Sequence, residues 1–427
     1  MVVPPAHAVS GARTYLIAAL FAVLATASPP VWAAELPAPW VELGADGALS
    51  VRAAVAPGSA CPTVSADGAA VASLPRGAPD GAFPLQICEA LVPAATARLA
   101  AGEIALPTLP ATVRRIAVIG DTGCRLAGRT AQDCRDPASW PFAAIAAAAA
   151  AKRPDLVIHL GDYYYRESAC PAGRAGCAGS PYGDTWPTWK ADFFDPAAPL
   201  LAASPWVVVR GNHELCRRGG PGWFRLLDPY PARPYPARPD CIDRTEPYRL
   251  SIGGLDLLMF DGADADDFLA PPDKVAFYAG QLAPLLANAP PHAWLLTHRP
   301  VWAMAQGELS GVTQSQTEQA AIRGHVPPAL DLVLSGHLHD LISYEFGPER
   351  PAQLIVGTGG DTLLPLGRDP IVGAEIDGIN VRRGFAIERF GYFIMERTAS
   401  GWDGTLYAPD DAILARCRIA GREIDCR

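Results

Sequence analysis

The stretch DLVIHLGDYYYRE, residues 155–167, contains the pattern on which the fold prediction rests. Its first half is an apolar run that predicts a buried strand, and Gly161 predicts a tight turn directly after that strand. Asp162 then stands at the end of the strand and is followed by three tyrosines. In α/β proteins, ligands bind beyond the carboxyl ends of strands, so Asp162 is a candidate site residue.

Four other apolar runs end in the same way, with a glycine or threonine beside a residue that can bind a metal. These ends carry Asp121 in IGDTG, Asn212 and His213 in RGNHE, His298 in LLTHRP, and His337 and His339 in SGHLHD. Taken singly, each pattern is more typical of a turn or a structural histidine. Together, carboxylate, amide and imidazole ligands suit divalent and trivalent metals, and the spacing of His337 and His339 suits a metal pair.

The remaining pattern of residues 113–427 indicates an α/β domain. Buried-strand runs such as RIAVIG and WVVVRG alternate with helices expected around residues 139–152, 186–203 and 273–288. Such alternation predicts layers of strands and helices, with functional residues at the strand ends.

Residues 35–110 have a different composition, rich in Ala, Pro and Gly, with short alternating runs such as LSVRAAV at 49–55. This pattern predicts a small N-terminal β domain, and the Pro-containing stretch 106–112 predicts a linker to the α/β domain. No catalytic cluster occurs in this part, so we expect it to have a structural or docking role.

Residues 1–33 are typical of a signal peptide. Arg13 precedes an apolar run at 15–27, and small residues predict cleavage after Ala33 or Ala34. The run is short for a membrane span, although an uncleaved anchor is the alternative. We therefore expect a protein exported to the periplasm or secreted, with no membrane association after cleavage.

The ten cysteines fit export, because none forms a Cys-x-x-Cys motif and oxidising compartments favour disulfides. We expect sequential neighbours to pair: Cys61 with Cys88, Cys124 with Cys134, Cys170 with Cys177, Cys216 with Cys241, and Cys417 with Cys426. The net charge of −9, without a long basic run, argues against binding nucleic acids or anionic membranes.

The ordered motifs Gly-Asp-x-Gly, Gly-Asp-x-x-Tyr, Gly-Asn-His-Glu, Thr-His and Gly-His-x-His resemble those of the calcineurin-like metallophosphoesterases, and within them the purple acid phosphatases. The resemblance covers roughly residues 113–407. It implies a four-layer α/β/β/α sandwich of two mixed sheets. One motif departs from most of the superfamily, because Gly123 stands where a metal-binding histidine is usual. In the purple acid phosphatase pattern a tyrosine replaces that histidine, and here it is Tyr165; packing by all three tyrosines is the alternative.

The resemblance also implies a ligand set for two metals. The first metal would be bound by Asp121, Tyr165 and His339, and the second by Asn212, His298 and His337, with Asp162 as the bridge. The family precedent is Fe(III) in the first position and Fe(II), Zn(II) or Mn(II) in the second.

The implied activity is that of a hydrolase, an acid phosphatase in which a metal-bound hydroxide attacks a phosphate monoester. His213 would hydrogen-bond the phosphate or protonate the leaving alkoxide. Arg217, Arg218 and Arg299 are candidate substrate contacts, with surface charge as the alternative. A phosphodiesterase or nucleotidase with Mn or Zn in both positions is the nearest alternative function, and a non-catalytic secreted metal-binding module is a second one.

Overall fold

The computed structural model describes residues 1–3, 36–231, 241–305, 312–367 and 370–427. Within it, Pro37–Arg427 forms one compact unit, and Met1–Leu36 is assigned to a separate one. The predicted signal peptide and its cleavage site lie outside the described residues, apart from the first three. Among the described residues, no helix is both long and apolar enough to cross a bilayer.

The described chain contains mostly short strands and six α-helices. The strands are β1 (Trp40–Leu43), β2 (Leu49–Val55), β3 (Val64–Ala66), β4 (Ala69–Val71), β5 (Leu74–Pro75), β6 (Gln86–Val92), β7 (Leu99–Ala101), β8 (Ile104–Leu106), β9 (Arg115–Ile119), β10 (Leu126–Ala127), β11 (Thr130–Ala131), β12 (Leu156–His159), β13 (Trp206–Val208), β14 (Tyr248–Ile252), β15 (Leu255–Met259), β16 (Ala293–Leu296), β17 (Ala303–Met304), β18 (Thr313–Gln314), β19 (Leu330–Ser335), β20 (Leu341–Glu345), β21 (Ala352–Val356), β22 (Glu375–Ile376), β23 (Ile379–Asn380), β24 (Arg383–Ile387), β25 (Tyr392–Arg397), β26 (Trp402–Tyr407), β27 (Ile413–Ala420) and β28 (Glu423–Cys426). The helices are α1 (Phe142–Ala151), α2 (Trp186–Trp189), α3 (Asp195–Ala203), α4 (Gly220–Leu226), α5 (Pro272–Ala287) and α6 (Gln316–Ile322).

Two large mixed sheets organise these elements. The first has eleven strands in the order β28-β27-β26-β25-β9-β12-β13-β1-β2-β6-β5, and the second has seven in the order β14-β15-β16-β19-β21-β20-β24. In the first sheet β9, β12 and β13 run parallel, and in the second β15, β16, β19 and β21 do. Because parallel strands end at the same edge, both sheets bring several carboxyl ends together.

Two hydrophobic cores define the layers. The first core combines residues of both sheets, such as Val118 and Ile158 with Leu296 and Leu334, so the sheets pack face to face. In the second core, residues of the seven-stranded sheet contact α5 and α6. Helices α1 and α3 pack against each other and contact β25 and β1 of the eleven-stranded sheet. The predicted four-layer α/β/β/α sandwich is confirmed, and so are the helices expected around 139–152, 186–203 and 273–288.

The N-terminal region is rich in strands, as predicted, and part of it joins the eleven-stranded sheet. Strand β1 pairs in parallel with β13, and β2, β6 and β5 extend the same sheet. A smaller sheet, β4-β3-β7-β8, is formed by the rest of this region. Strands β1 and β2 are almost entirely buried, because β1 lies beside β13 and β2 lies beside β1 within that sheet.

A buried ionic network also ties this region to the rest of the chain. The Arg52 side chain is fully buried, and its Nη1 lies 2.9 Å from Glu42 Oε2. Its guanidinium also donates to the carbonyls of Leu226, at 2.7 Å, and Asp228, at 2.6 Å. Arg52 therefore links the N-terminal strands to the segment that follows α4.

All five predicted disulfides are present. They join Cys61 to Cys88, Cys124 to Cys134, Cys170 to Cys177, Cys216 to Cys241, and Cys417 to Cys426. Each closes a short segment of chain, as the nearest-neighbour rule predicted.

The first prediction concerns the buried network. Arg52→Ala should lower the free energy of unfolding by about 3–5 kcal/mol, because it leaves Glu42 and two carbonyls buried without their partner. Urea denaturation followed by tryptophan fluorescence measures this change. The exposed Arg98 supplies the control, and Arg98→Ala should have little effect. Equal stability of the two variants would contradict a bracing role for Arg52.

Candidate metal centre

The seven predicted metal ligands all lie where parallel strands end. Asp121 follows β9, the Asp162–Tyr165 segment follows β12, and Asn212 follows β13. From the other sheet, His298 follows β16 and the His337–His339 turn follows β19. Both sheets therefore contribute predicted ligands at their strand ends.

Three of these side chains project from an unusual backbone conformation. The φ angles are 57° at Asp121, 59° at Asp162 and 71° at His337. Residues with a Cβ rarely adopt this left-handed conformation, which costs roughly 1–3 kcal/mol each, and it is frequent at functional sites.

The Tyr165 hydroxyl contacts the other residues that are predicted to bind the first metal. It lies 2.8 Å from Asp162 Oδ2 and 3.1 Å from Asp121 Oδ1. It also lies 3.1 Å from His339 Nε2, and the tyrosine is fully buried. These contacts bring together three segments that are far apart in the sequence.

Gly123 and Tyr165 depend on each other sterically. A Cβ at Gly123 would come within 2.9 Å of both Tyr165 Cδ2 and Tyr163 O. A side chain at position 123 would therefore compete with the Tyr165 ring for space. The glycine at 123 therefore leaves room for the Tyr165 ring.

Asp162 also contacts the predicted second group of ligands. His298 Nε2 lies 3.2 Å from Asp162 Oδ2 and 3.1 Å from Asn212 Oδ1. One ligand atom each of Asp162, His298 and His337 lies within 4.8 Å of the others. A Cβ at Gly211 would come within 2.1 Å of Asp162 Oδ1, so only glycine permits this approach. Asp162 thus lies between the two groups.

Hydrogen bonds orient two of the imidazoles. His298 Nδ1 donates to the Leu160 carbonyl and His339 Nδ1 to the Thr362 carbonyl, each at 2.7 Å. These bonds leave Nε2 of each ring unprotonated and facing the carboxylates. Burial lowers the pKa of His339 to about 3, and burial likewise lowers the pKa of His337 to about 4. Neutral imidazole is the form that binds metals.

The electrostatics of the cluster favour a cation. Burial, and then the charge of Asp162, raises the pKa of Asp121 well above its usual value. Two buried carboxylates that face unprotonated nitrogens repel one another unless positive charge lies among them. Oxygen and imidazole donors are those preferred by borderline transition metals. The residues present therefore fit a metal centre.

Glu214 holds the loop that carries Asp162, a role that we did not predict. Its carboxylate is fully buried and accepts four backbone N–H groups, those of Asp162 (3.0 Å), Tyr163 (2.8 Å), Tyr164 (3.2 Å) and Gly211 (2.9 Å). Glu214 directly follows Asn212 and His213 in the RGNHE motif, and that position was the available signal.

Asp192 holds the other end of the same loop. It accepts the backbone N–H groups of Tyr165 at 2.8 Å and of Cys124 at 3.1 Å. Asp192 lies in a π-helical turn, Lys190–Phe194, between α2 and α3. No local sequence pattern connects it with the site, so only the folded chain identifies it.

The other two tyrosines pack. The Tyr163 ring stacks on the fully buried His159 at a centroid distance of 3.8 Å, and its hydroxyl donates to the Val209 carbonyl at 3.1 Å. The Tyr164 ring stacks on Trp189 at 5.9 Å. Tyr163, Tyr164 and His159 therefore act as packing residues of the core.

His213 lies beside the predicted ligands. Its backbone N–H donates to Asp162 Oδ1 at 2.8 Å, and its ring centroid is 3.8 Å from that of Tyr165. His213 Nδ1 lies 3.0 Å from Glu167 Oε1, which also accepts a hydrogen bond from Arg218 Nε. Partial burial raises the pKa of Glu167, but contacts with His213 and Arg218 outweigh it and hold that pKa at about 2. Glu167 is therefore an anion that orients both neighbours.

A cavity of about 330 Å³ opens above these groups. Its polar lining consists of Arg125, Asp162, Asn212, His213, Arg218, Gln314, His337 and His339. Of the three arginines predicted as substrate contacts, Arg218 lines the cavity. Arg217 is exposed and does not line it, and Arg299 is buried beside His337. Arg125 was not predicted.

Asp267 contacts His337 from outside the predicted set. Its Oδ2 lies 3.1 Å from His337 Nε2 and 2.5 Å from Arg299 Nη1. Arg299 Nη1 also lies 2.9 Å from His337 Nε2, so Asp267 and Arg299 together fix the orientation of that ring.

A sequence model of the calcineurin-like phosphoesterase family matches residues 114–341, more than half of the chain. The chain belongs to this family. The calcineurin-like phosphoesterase fold is also shared with a purple acid phosphatase from yellow lupin (Lupinus luteus) seeds. That structure has 14% sequence identity and a TM-score of 0.56, over 88% of this chain and 72% of the lupin chain.

A second solved structure, titled PhoD, is 12% identical in sequence to this chain and has a TM-score of 0.50. The match covers 92% of this chain and 90% of the PhoD chain. At these identities the likeness shows the fold alone. No curated protein matches the chain. The resemblance inferred from the motifs is therefore confirmed at the level of the family, whose members are metal-dependent hydrolases of phosphate esters.

The second prediction concerns Asp267. Asp267→Ala should weaken the binding of one metal by about 10–100-fold, because His337 loses the group that orients it. Metal content after dialysis against a graded series of chelator concentrations measures this effect. Asp264 lies in the same loop but pairs with Arg244 and Lys274, so Asp264→Ala is the matched control. Identical metal retention in both variants would show that Asp267 does not support the centre.

Proposed function

We propose that this calcineurin-like phosphoesterase is an exported phosphomonoesterase with a dinuclear metal centre. The observation that carries the proposal is the position of Asp162, whose carboxylate contacts the Tyr165 hydroxyl on one side and His298 on the other. A residue shared by two groups of ligands is what a bridged metal pair requires. The five disulfides support export to an oxidising compartment.

The proposed ligands follow the two groups. Asp121, Tyr165 and His339 would hold the first metal, Asn212, His298 and His337 the second, and Asp162 both. Tyrosinate is a hard anionic donor and favours Fe(III) in the first position, with Fe(II), Zn(II) or Mn(II) in the second. When bound, such a pair lowers the pKa of a water molecule and offsets the negative charge of a phosphate.

The chain itself would bind and orient the substrate. His213 lines the cavity beside Asp162, where it can hydrogen-bond the phosphate or protonate the leaving alkoxide. Glu167 holds the His213 ring and the Arg218 guanidinium in place, so both groups are oriented before substrate arrives. Arg218 adds positive charge beside the phosphate site.

A direct test compares two substrates on the metal-loaded protein. We expect a higher kcat/KM for 4-nitrophenyl phosphate than for bis(4-nitrophenyl) phosphate, because the cationic lining favours a dianion over a monoanion. Faster turnover of the diester would favour the phosphodiesterase alternative. No hydrolysis of either ester, from acidic to alkaline pH, would refute the proposal and favour a non-catalytic metal-binding protein.

The third prediction separates metal binding from chemistry. His213→Ala should keep both metals and lower kcat by about 10²–10⁴-fold, the range that a general acid or base contributes. Asp162→Asn should lose metal as well as rate. Metal analysis and steady-state kinetics on the same preparations distinguish the two classes. His325 is an exposed histidine, so His325→Ala is the control and should match the wild type.

The fourth prediction concerns Tyr165. The protein with Fe(III) bound should absorb visible light through a tyrosinate-to-iron transition, and Tyr165→Phe should abolish that band. Tyr164→Phe should keep it, because Tyr164 stacks on Trp189 away from the ligand groups. A band that survives in Tyr165→Phe would exclude Tyr165 as the ligand.

A further inference from the structure

Arg125 is held beside the centre by a covalently closed hairpin. It follows Cys124, whose disulfide to Cys134 spans strands β10 and β11. The Arg125 N–H donates to Gln132 Oε1 at 3.0 Å, and Gln132 Nε2 donates to the Gly360 carbonyl at 2.8 Å. The backbone of Arg125 is therefore fixed from both ends of the hairpin.

The Arg125 side chain is fixed as well. Its Nε donates to Asp361 Oδ1 at 3.0 Å and its Nη2 donates to Asp361 Oδ2. Asp361 is fully buried, its N–H donates to the Asp121 carbonyl at 2.9 Å, and its carboxylate lies 3.4 Å from His339 Nδ1. Asp361, which contacts Asp121 through its backbone N–H and His339 through its carboxylate, thus holds one edge of the guanidinium.

The remaining edge of this arginine is available to a ligand. The guanidinium carbon lies 4.8 Å from the centroid of the Tyr165 ring, and the side chain is 24% exposed. Arg125 lines the same cavity as His213 and Arg218. The contact with Asp361 uses Nε and Nη2, so Nη1 is the donor left for a group in that cavity.

Phosphate monoesters and diesters differ in charge and in the number of free oxygens, so this donor can distinguish between them. A phosphate monoester carries up to two negative charges on three non-bridging oxygens, whereas a diester carries one charge on two. Arginine binds such oxygens through charge-assisted hydrogen bonds of fixed direction. An additional preorganised guanidinium therefore stabilises a bound monoester more than a bound diester.

We propose that Arg125 binds the phosphate group of the substrate and selects monoesters over diesters. This inference rests on the phosphomonoesterase activity proposed above. Arg125, in the segment that follows Asp121, would bind the substrate together with Arg218, which lies in the segment that follows Asn212. Asp361 acts through Arg125 and is a positioning residue.

The test uses the full metal-loaded chain with Arg125→Gln. We expect kcat/KM for 4-nitrophenyl phosphate to fall about 10–100-fold, the worth of a hydrogen bond to a charged group. The value for bis(4-nitrophenyl) phosphate should change by less than about threefold, the inhibition constant of inorganic phosphate should rise about tenfold, and metal content should stay the same.

Two further variants keep the result interpretable. Arg125→Lys retains the charge but not the planar fork, so its monoester-to-diester ratio should fall between those of the wild type and Arg125→Gln. Arg129 is exposed in the turn of the same hairpin, and Arg129→Gln should match the wild type.

The outcomes separate the inference from the proposed function. If the wild type hydrolyses monoesters but Arg125→Gln leaves the ratio and phosphate inhibition unchanged, or lowers both activities equally with loss of metal, the inference is wrong and the proposed function stands. If the wild type hydrolyses no monoester, the proposed function falls and the inference falls with it.

Discussion

The structure depends on one electrostatic constraint, the enclosure of Asp121 and Asp162 around the hydroxyl of Tyr165. Both carboxylates lie within 3.1 Å of that hydroxyl, and two buried carboxylates held this way repel each other unless a cation or a proton lies among them. Forming this cluster costs conformational free energy, because Asp121 and Asp162 both adopt left-handed backbone conformations. Tertiary hydrogen bonds must offset that cost, and Glu214 and Asp192 supply them by accepting backbone N–H groups of the Asp162–Tyr165 loop.

The support of the centre extends through both sheets and the N-terminal strands. Strand β1 pairs with β13, which leads into Asn212, and Arg52 binds the carbonyls that follow α4. The segment between Asn212 and those carbonyls contains Arg218. The N-terminal residues that carry no ligand are therefore part of the frame that positions one side of the site. This arrangement gives them a structural reason to be present without any chemistry of their own.

The parts of the site that follow from periodicity and motif spacing could be predicted, and the parts that depend on tertiary contact could not. Apolar runs ending in Gly-Asp or Gly-His identify strand ends, so Asp162 and His337 could be predicted as site residues. Asp192 and Asp267 belong to segments without such a pattern, and their role appears only when remote segments meet. The position of the N-terminal strands in the large sheet could not be predicted for a related reason. The alternation of that region predicts strands, but strand order in a sheet is set by long-range pairing.

The central claim is that two metals lie on either side of the Asp162 carboxylate. Anomalous X-ray diffraction from crystals of the metal-loaded protein, measured at the absorption edges of iron, zinc and manganese, tests it most directly. The account predicts two separate peaks, one contacting Asp121, Tyr165 and His339 and the other contacting Asn212, His298 and His337. A single peak, or two peaks that leave Asp162 without a metal contact, would contradict it.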